Sequence, residues 1–277
     1  MRSDIISVQT AREVSAMLAA PNSRIIAGGT SFSPETGEDL HLVDISGLEG
    51  LDGIRQKGSR LEIGPLVTLS ALGGSMLLKA YAPALAECAA KAAVPEIRDR
   101  GTLGGNLAAA RVGDTAAALL ASGAKLTIKT DSDYREILID RFWRLDGEND
   151  LSFDEWITRI TIQIPKDPFW GAAFGKIGEW DLTKDRTAAA AVQLSLNEKN
   201  VITDIRGGLC LGSGYVRRMF PLEKALKNRS ASGEDLEKGI RAMVPAAAGY
   251  ADEEEFAALL KDILLRAAAM ADERRAI

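Results

Sequence analysis

Two short segments concentrate glycine with small hydroxyl and amide residues, each just after an apolar run: Ala27-Gly28-Gly29-Thr30-Ser31 and Thr102-Leu103-Gly104-Gly105-Asn106. Glycine admits positive φ and puts no Cβ between backbone N–H groups and a ligand, so successive amides can converge on an anion. A pyrophosphate is a suitable guest, with Thr30, Ser31, Thr102 and Asn106 as side-chain donors. Taken singly, a Gly-Gly pair after a strand is most simply a tight turn. Neither segment is GxGxxG with an acidic residue about 20 positions on, nor GxxxxGK[ST], so the two common nucleotide-loop readings fail on spacing. Two similar loops in one region fit a long phosphate-containing ligand better than either does alone.

Little else in the chain offers chemistry. The single histidine, His41, removes most metal sites and nearly every Ser/His or Cys/His arrangement. The two cysteines, Cys88 and Cys210, stand in apolar settings, which argues against a disulfide or metal framework and for a reducing compartment. No catalytic side chain and no metal ligand is therefore expected. The 34 Lys+Arg against 39 Asp+Glu give a formal charge of -5, against the clustered cations that phosphate-backbone binding needs, so no nucleic-acid partner is expected. The N-terminus carries Arg2, Asp4, Arg12 and Glu13 and does not read as a signal peptide, and no apolar run reaches the ~20 residues of a membrane span. A cytoplasmic protein is the expectation.

The elements that must position the loops follow from local signals. Thr10-Ala-Arg-Glu13 has capping-box spacing before a first helix ending near Pro21-Asn22; a strand at Arg24–Ala27 runs into the first loop, and strands are expected at His41–Ile45 and Leu61–Ile63. Thr68 caps a helical stretch, Ala82–Ala93 reads as an Ala-rich helix, and a short helix begins near Asp114 and Thr115, just after the second loop. Strands at Lys125–Lys129 and Ile157–Ile164 lead to the linker candidate Pro165-Lys-Asp-Pro168. Beyond it come three alternating runs, Gly171–Ile177, Ala188–Leu196 and Val201–Leu211, then helices over Phe220–Lys227, Gly233–Val244 and Asp252–Arg274. At 277 residues the chain should hold about two domains, each burying its own core. The expected class is α+β, with a region at 1–165 made of subdomains of about 1–57 and 58–165, then a domain at 170–277 of three antiparallel strands plus helices.

Ala27-Gly-Gly-Thr-Ser31, Ile97-Arg-Asp-Arg-Gly-Thr-Leu-Gly-Gly-Asn-Leu107 and Gly113-Asp-Thr115 together resemble the FAD-binding (medium) subunit of molybdenum hydroxylases, the family of carbon monoxide dehydrogenase and xanthine dehydrogenase flavoproteins. The second motif is the specific one. The resemblance implies a PCMH-type FAD-binding fold, with FAD held noncovalently between the two glycine loops and the C-terminal domain. It implies that Gly28, Gly29, Thr30 and Ser31 hold the pyrophosphate and ribityl with Ala27 lining the approach, and that Thr102, Gly104, Gly105 and Asn106 form the opposite wall. Asp114 would accept a hydrogen bond from a flavin or ribose hydroxyl, with a helix N-cap as its alternative role. Ile160 would touch FAD through its backbone, and Lys176 would place positive charge near the ring. It further implies an electron-relay subunit that works with a small iron–sulfur subunit carrying [2Fe–2S] clusters and a large molybdopterin subunit, passing electrons to an acceptor such as NAD⁺. Two cysteines cannot ligate such a cluster through four thiolates. The chain departs from the family at the acidic Glu35, Glu38 and Asp39, at Arg111-Val112 and at Trp180-Asp181. Two other readings stay open: a free-standing FAD oxidoreductase of the same fold, and a flavin-free assembly subunit.

Overall fold

The computed structural model describes residues 4–31, 40–109, 114–130, 132–144, 147–178, 187–212 and 214–275. The departures at Glu35, Glu38, Asp39, Arg111, Val112, Trp180 and Asp181, and Gly113 of the third motif, lie outside these residues.

Strands β1 (Asp4–Ser7), β2 (Ser23–Ile26) and β3 (His41–Asp44) form a parallel sheet in the order β1-β3-β2. Helix α1 (Ala11–Leu18) joins the first two and starts in the expected capping box: Thr10 Oγ1 accepts from the Glu13 N–H at 3.3 Å, and the Glu13 carboxylate accepts from the Thr10 N–H at 3.1 Å. Its buried Val14 and Leu18 meet Val8, Val43, Ile45 and Trp156 in a small core. β1 escaped the sequence reading because its four residues are all exposed and show no alternation of burial.

A second sheet has the order β4-β5-β8-β6-β7, from β4 (Ile54–Lys57), β5 (Arg60–Ile63), β6 (Lys125–Lys129), β7 (Tyr134–Leu138) and β8 (Trp156–Gln163). Leu61, Ile63, Leu126, Ile128, Ile160 and Ile162 turn one face inward while Arg60, Lys125 and Gln163 stay exposed, which is the period-2 pattern of a half-buried sheet. Among the described residues, the connection between β5 and β6 holds six helices: α2 (Leu69–Gly74), α3 (Met76–Tyr81), α4 (Pro83–Lys91), α5 (Pro95–Arg98), α6 (Leu103–Ala108) and α7 (Thr115–Ser122). α7 is buried on every side from Thr115 to Ala121, as its almost uniformly small and apolar sequence requires.

The last sheet, in the order β12-β11-β10-β9, is antiparallel and consists of β9 (Trp170–Ile177), β10 (Ala188–Leu196), β11 (Ile202–Leu211) and β12 (Tyr215–Arg218). It has four strands where three were expected; β12 is a four-residue strand of a hairpin, too short to show a period. α8 (Phe220–Leu226), α9 (Gly233–Met243) and α10 (Glu253–Arg275) follow. A Cβ at Gly208 would lie 2.1 Å from the Ala117 carbonyl oxygen on α7, and one at Gly171 2.0 Å from that of Ala267 on α10, so a helix presses on each face of this sheet.

The core around Leu61, Leu85, Leu119 and Ile160 also contains Trp170, Phe174, Ala191 and Cys210, so it runs on past residues 165–168 instead of stopping at them. The other face of the last sheet has its own core with α8–α10, around Leu194, Leu209, Phe256 and Leu264.

Candidate functional site

The first glycine loop leaves the carboxyl end of β2, the position at which open parallel sheets present loops to ligands. Gly28 packs directly on the chain before the second motif: a Cβ there would stand 1.8 Å from the Arg100 carbonyl oxygen. Gly29 has φ +69°, a conformation glycine adopts without strain. Among the described residues, none accepts a hydrogen bond from the N–H groups of Gly28, Gly29, Thr30 or Ser31. Four consecutive donors therefore stand free, on a loop half-buried from Ala27 to Thr30. Thr30 Oγ1 lies 3.2 Å from where a Gly101 Cβ would be, so the two motifs abut.

The second motif differs from its sequence reading. Leu103–Ala108 is itself helical, and its early N–H groups are taken: Leu103 donates to the Val67 carbonyl at 2.9 Å, Gly104 to that of Pro65 at 2.8 Å, and Gly105 to Thr102 Oγ1 at 3.2 Å. Gly104 is buried, and a Cβ on it would fall 2.7 Å from Pro65 Cβ. Its glycine thus serves close helix packing, whereas Gly105 is exposed. Asn106 Oδ1 accepts from Thr115 Oγ1, tying α6 to the start of α7.

One residue before Thr115, Asp114 occupies the N-cap position of α7 but makes no capping bond. Its carboxylate instead meets Lys176 Nζ of β9 at 3.3 Å, with both side chains about three-quarters buried at 23% and 22% exposed. Behind this pair lie both cysteines. Burial, and secondarily the Asp114 charge, pushes the Cys88 thiol well up and that of Cys210 up to about 12, so both stay protonated and unreactive.

The structure thus brings Ala27–Ser31, Thr102–Asn106, Asp114 and Lys176 into one strip crossing from the first sheet to the last. Ile160 is the exception. It is fully buried and its backbone sits in the ladder between β5 and β6, so its main chain is spent on the sheet. Arg100 is the residue that sequence reasoning passed over: its Nη2 stands 3.7 Å from a Gly29 Cβ position, a cation beside the free amides. The available signal was its place two residues before Thr102, within the quoted motif.

The profile of the FAD-binding domain in molybdopterin dehydrogenases matches residues 1–167. The chain belongs to that family. The carbon monoxide dehydrogenase medium chain of Hydrogenophaga pseudoflava is 33% identical over 195 residues, 67% of this chain and 65% of that one. The nicotinate dehydrogenase FAD-subunit of Eubacterium barkeri is 28% identical over 200 residues, 68% of this chain and 66% of the relative. These alignments span about two thirds of the relatives' own length. The solved carbon monoxide dehydrogenase from Hydrogenophaga pseudoflava superposes with a TM-score of 0.84 at 25% identity, covering 99% of this chain and 98% of that one. The chain is thus an FAD-dependent oxidoreductase subunit of the molybdenum hydroxylase family, with the α+β FAD-binding fold. Among its described residues no helix is long and apolar enough to cross a membrane.

Proposed function

We propose that this chain is the electron-relay subunit of a molybdenum hydroxylase complex, and that FAD lies along the strip from Ala27 to Lys176. The observation that carries this is the run of four free N–H groups at Gly28–Ser31 with the Arg100 guanidinium beside it, a donor set suited to a pyrophosphate. Gly28, Gly29, Thr30 and Ser31 would hold that group, Ala27 would line the approach, and Arg100 would neutralise its charge. Thr102, Gly105 and Asn106 would face it from α6, with Gly104 letting that helix sit on Pro65. Asp114 would accept from a ribose or flavin hydroxyl, and Lys176 would set positive charge at the ring end. FAD, when bound, supplies the redox chemistry. The residues of this chain bind, orient and screen it from water, and none is required as nucleophile or general acid.

On this reading the iron–sulfur clusters and the molybdopterin belong to a small and a large partner subunit, and an acceptor such as NAD⁺ takes the electrons. The relatives named medium chain or FAD-subunit support the division of labour. A reducing, cytoplasmic setting is supported by two buried cysteines that form no disulfide. Covalent attachment of flavin, expected of a free-standing oxidase, finds no suitable residue among these. His41 pairs with Ser23 at the far end of β2 from the loop, ~10 Å away by strand rise.

The test is flavin content. The purified chain should show a flavin absorbance band, or gain one on adding FAD, and denaturation should release all of it. Gly105→Val should abolish FAD retention with an unchanged circular dichroism spectrum, because a branched side chain would stand in the ligand path. No band even with added FAD would sink the reading and favour the flavin-free assembly subunit.

A further inference from the structure

Among the described residues no strand pairs with the outer edge of β9, and side chains close that edge. In an antiparallel edge strand, alternate residues turn both N–H and C=O away from the sheet, and Phe174 is one of them. Its N–H donates to Glu87 Oε2 at 3.1 Å, and its carbonyl accepts from Arg266 Nη2 at 2.6 Å. Nη1 of the same guanidinium donates to both Glu87 oxygens, at 2.9 and 3.0 Å, and Lys91 Nζ donates to Oε1 at 2.7 Å. Glu87 belongs to α4 and Arg266 to α10, 179 residues apart in sequence. Their ion pair stands where a neighbour strand would and joins three elements at the backbone of one residue.

Phe174 lies close to the strip. The Phe174 ring is fully buried, and Lys176, two residues and ~7 Å further along, points to the same face and reaches Asp114. Between them, Gly175 faces the other way, where a Cβ would lie 2.5 Å from Leu259 Cδ1 of α10. β9 is therefore gripped from its edge and from behind just before Lys176. Burial pushes the Glu87 carboxyl up, but donors from Lys91, Phe174 and Arg266 outweigh it and hold its pKa below the ordinary value, so the bracket stays charged.

We propose that Glu87 and Arg266 are positioning residues for Lys176: by clamping the Phe174 backbone between α4 and α10, they set how far β9 advances past α4 and so hold the Lys176 amine against Asp114. The consequence for flavin rests on the function proposed above; the placement of Lys176 does not.

Glu87→Gln tests this in the full-length chain, in whatever assembly it purifies, with flavin removed. Gln keeps the shape and an acceptor for the Phe174 N–H but drops the charge that holds the guanidinium. Acylation of Lys176 by a small amine-directed reagent, followed by peptide mass spectrometry, should be at least about twofold faster than in the wild type. The exposed Lys238 serves as internal control and should not change. An unchanged Lys176 rate in a folded variant overturns the proposal. Arg266→Lys, which keeps the cation but cannot span Glu87 and the Phe174 carbonyl together, gives the same readout if Glu87→Gln fails to fold. In a second arm, FAD affinity is measured with and without Lys176→Met. Glu87→Gln should weaken FAD in the first background and have no effect in the second; equal weakening in both means the pair acts on the fold at large, and the proposal fails. If the wild type binds no FAD, the functional reading falls while the acylation arm still decides the role of the pair.

Discussion

At Gly28 a single methyl group is the probe. Its Cβ would stand 1.8 Å from the Arg100 carbonyl oxygen, and both partners are backbone, so the two motifs must move apart. Gly28→Ala should weaken FAD binding by about tenfold or more while costing the fold on the order of 1–3 kcal/mol, read by fluorescence titration and denaturant midpoint. Glu87 gives a pH prediction. Its folded-state pKa lies below its unfolded one, so its contribution is present above the unfolded value and lost as pH falls through the folded value. Glu87→Gln should therefore cost on the order of 2 kcal/mol at neutral pH, and the gap to the wild type should close as urea midpoints are taken at increasingly acid pH. Cys88 and Cys210 should resist thiol reagents at neutral pH until the chain unfolds, since burial keeps both thiols protonated. At this scale the residue types of the strip were legible in the sequence, because a glycine loop needs no partner to be recognised. Arg100 was not: whether an arginine faces a ligand or water depends on where its own carbonyl is packed.

Short helices and edge strands are where local signals run out. α6 was expected to be a loop, since Gly104 and Gly105 are poor helix formers. It is a helix because Thr102 caps it and Pro65 and Val67 accept its first amides, and both acceptors come from a different stretch of chain. Thr102→Ala should accordingly cost about 1 kcal/mol and loosen FAD binding through Gly105 and Asn106, measured by thermal unfolding and by titration. Gly208 shows the same dependence for packing. Nothing in its surrounding sequence calls for glycine, yet α7 comes so close that a Cβ would lie 2.1 Å from the Ala117 carbonyl oxygen. Gly208→Ala should lower stability by roughly 1–3 kcal/mol in urea unfolding, with the far-UV spectrum retained. Long periodic elements, by contrast, stand close to where the sequence put them: Ala188–Leu196 without change, and α10 displaced by one residue at each end.

For the whole molecule, the shared core is the decisive feature. Residues Leu61–Ile162 and one face of the last sheet bury the same apolar surface, so cutting at Pro165–Pro168 would expose α4 and α7 along their small-residue faces. A fragment of residues 1–167 should bind a hydrophobic dye and lack a cooperative transition. In the full chain, tryptophan fluorescence from Trp143, Trp156 and Trp170 should change together with far-UV dichroism in one denaturant transition. Two separated transitions would show that the halves fold independently.

Composition and spacing were sufficient for the α+β class, for most helices and strands, and for the two glycine motifs, because periodicity, caps and glycine content are properties of short stretches. The rest needed the folded chain. That the first motif keeps free amides while the second spends its own, that Asp114 bonds Lys176 and not its own helix, and that Ile160 turns inward are matters of contact between residues tens of positions apart. The Glu87–Phe174–Arg266 bracket is the extreme case, joining positions 179 apart through a strand edge that exists only once the last sheet has formed.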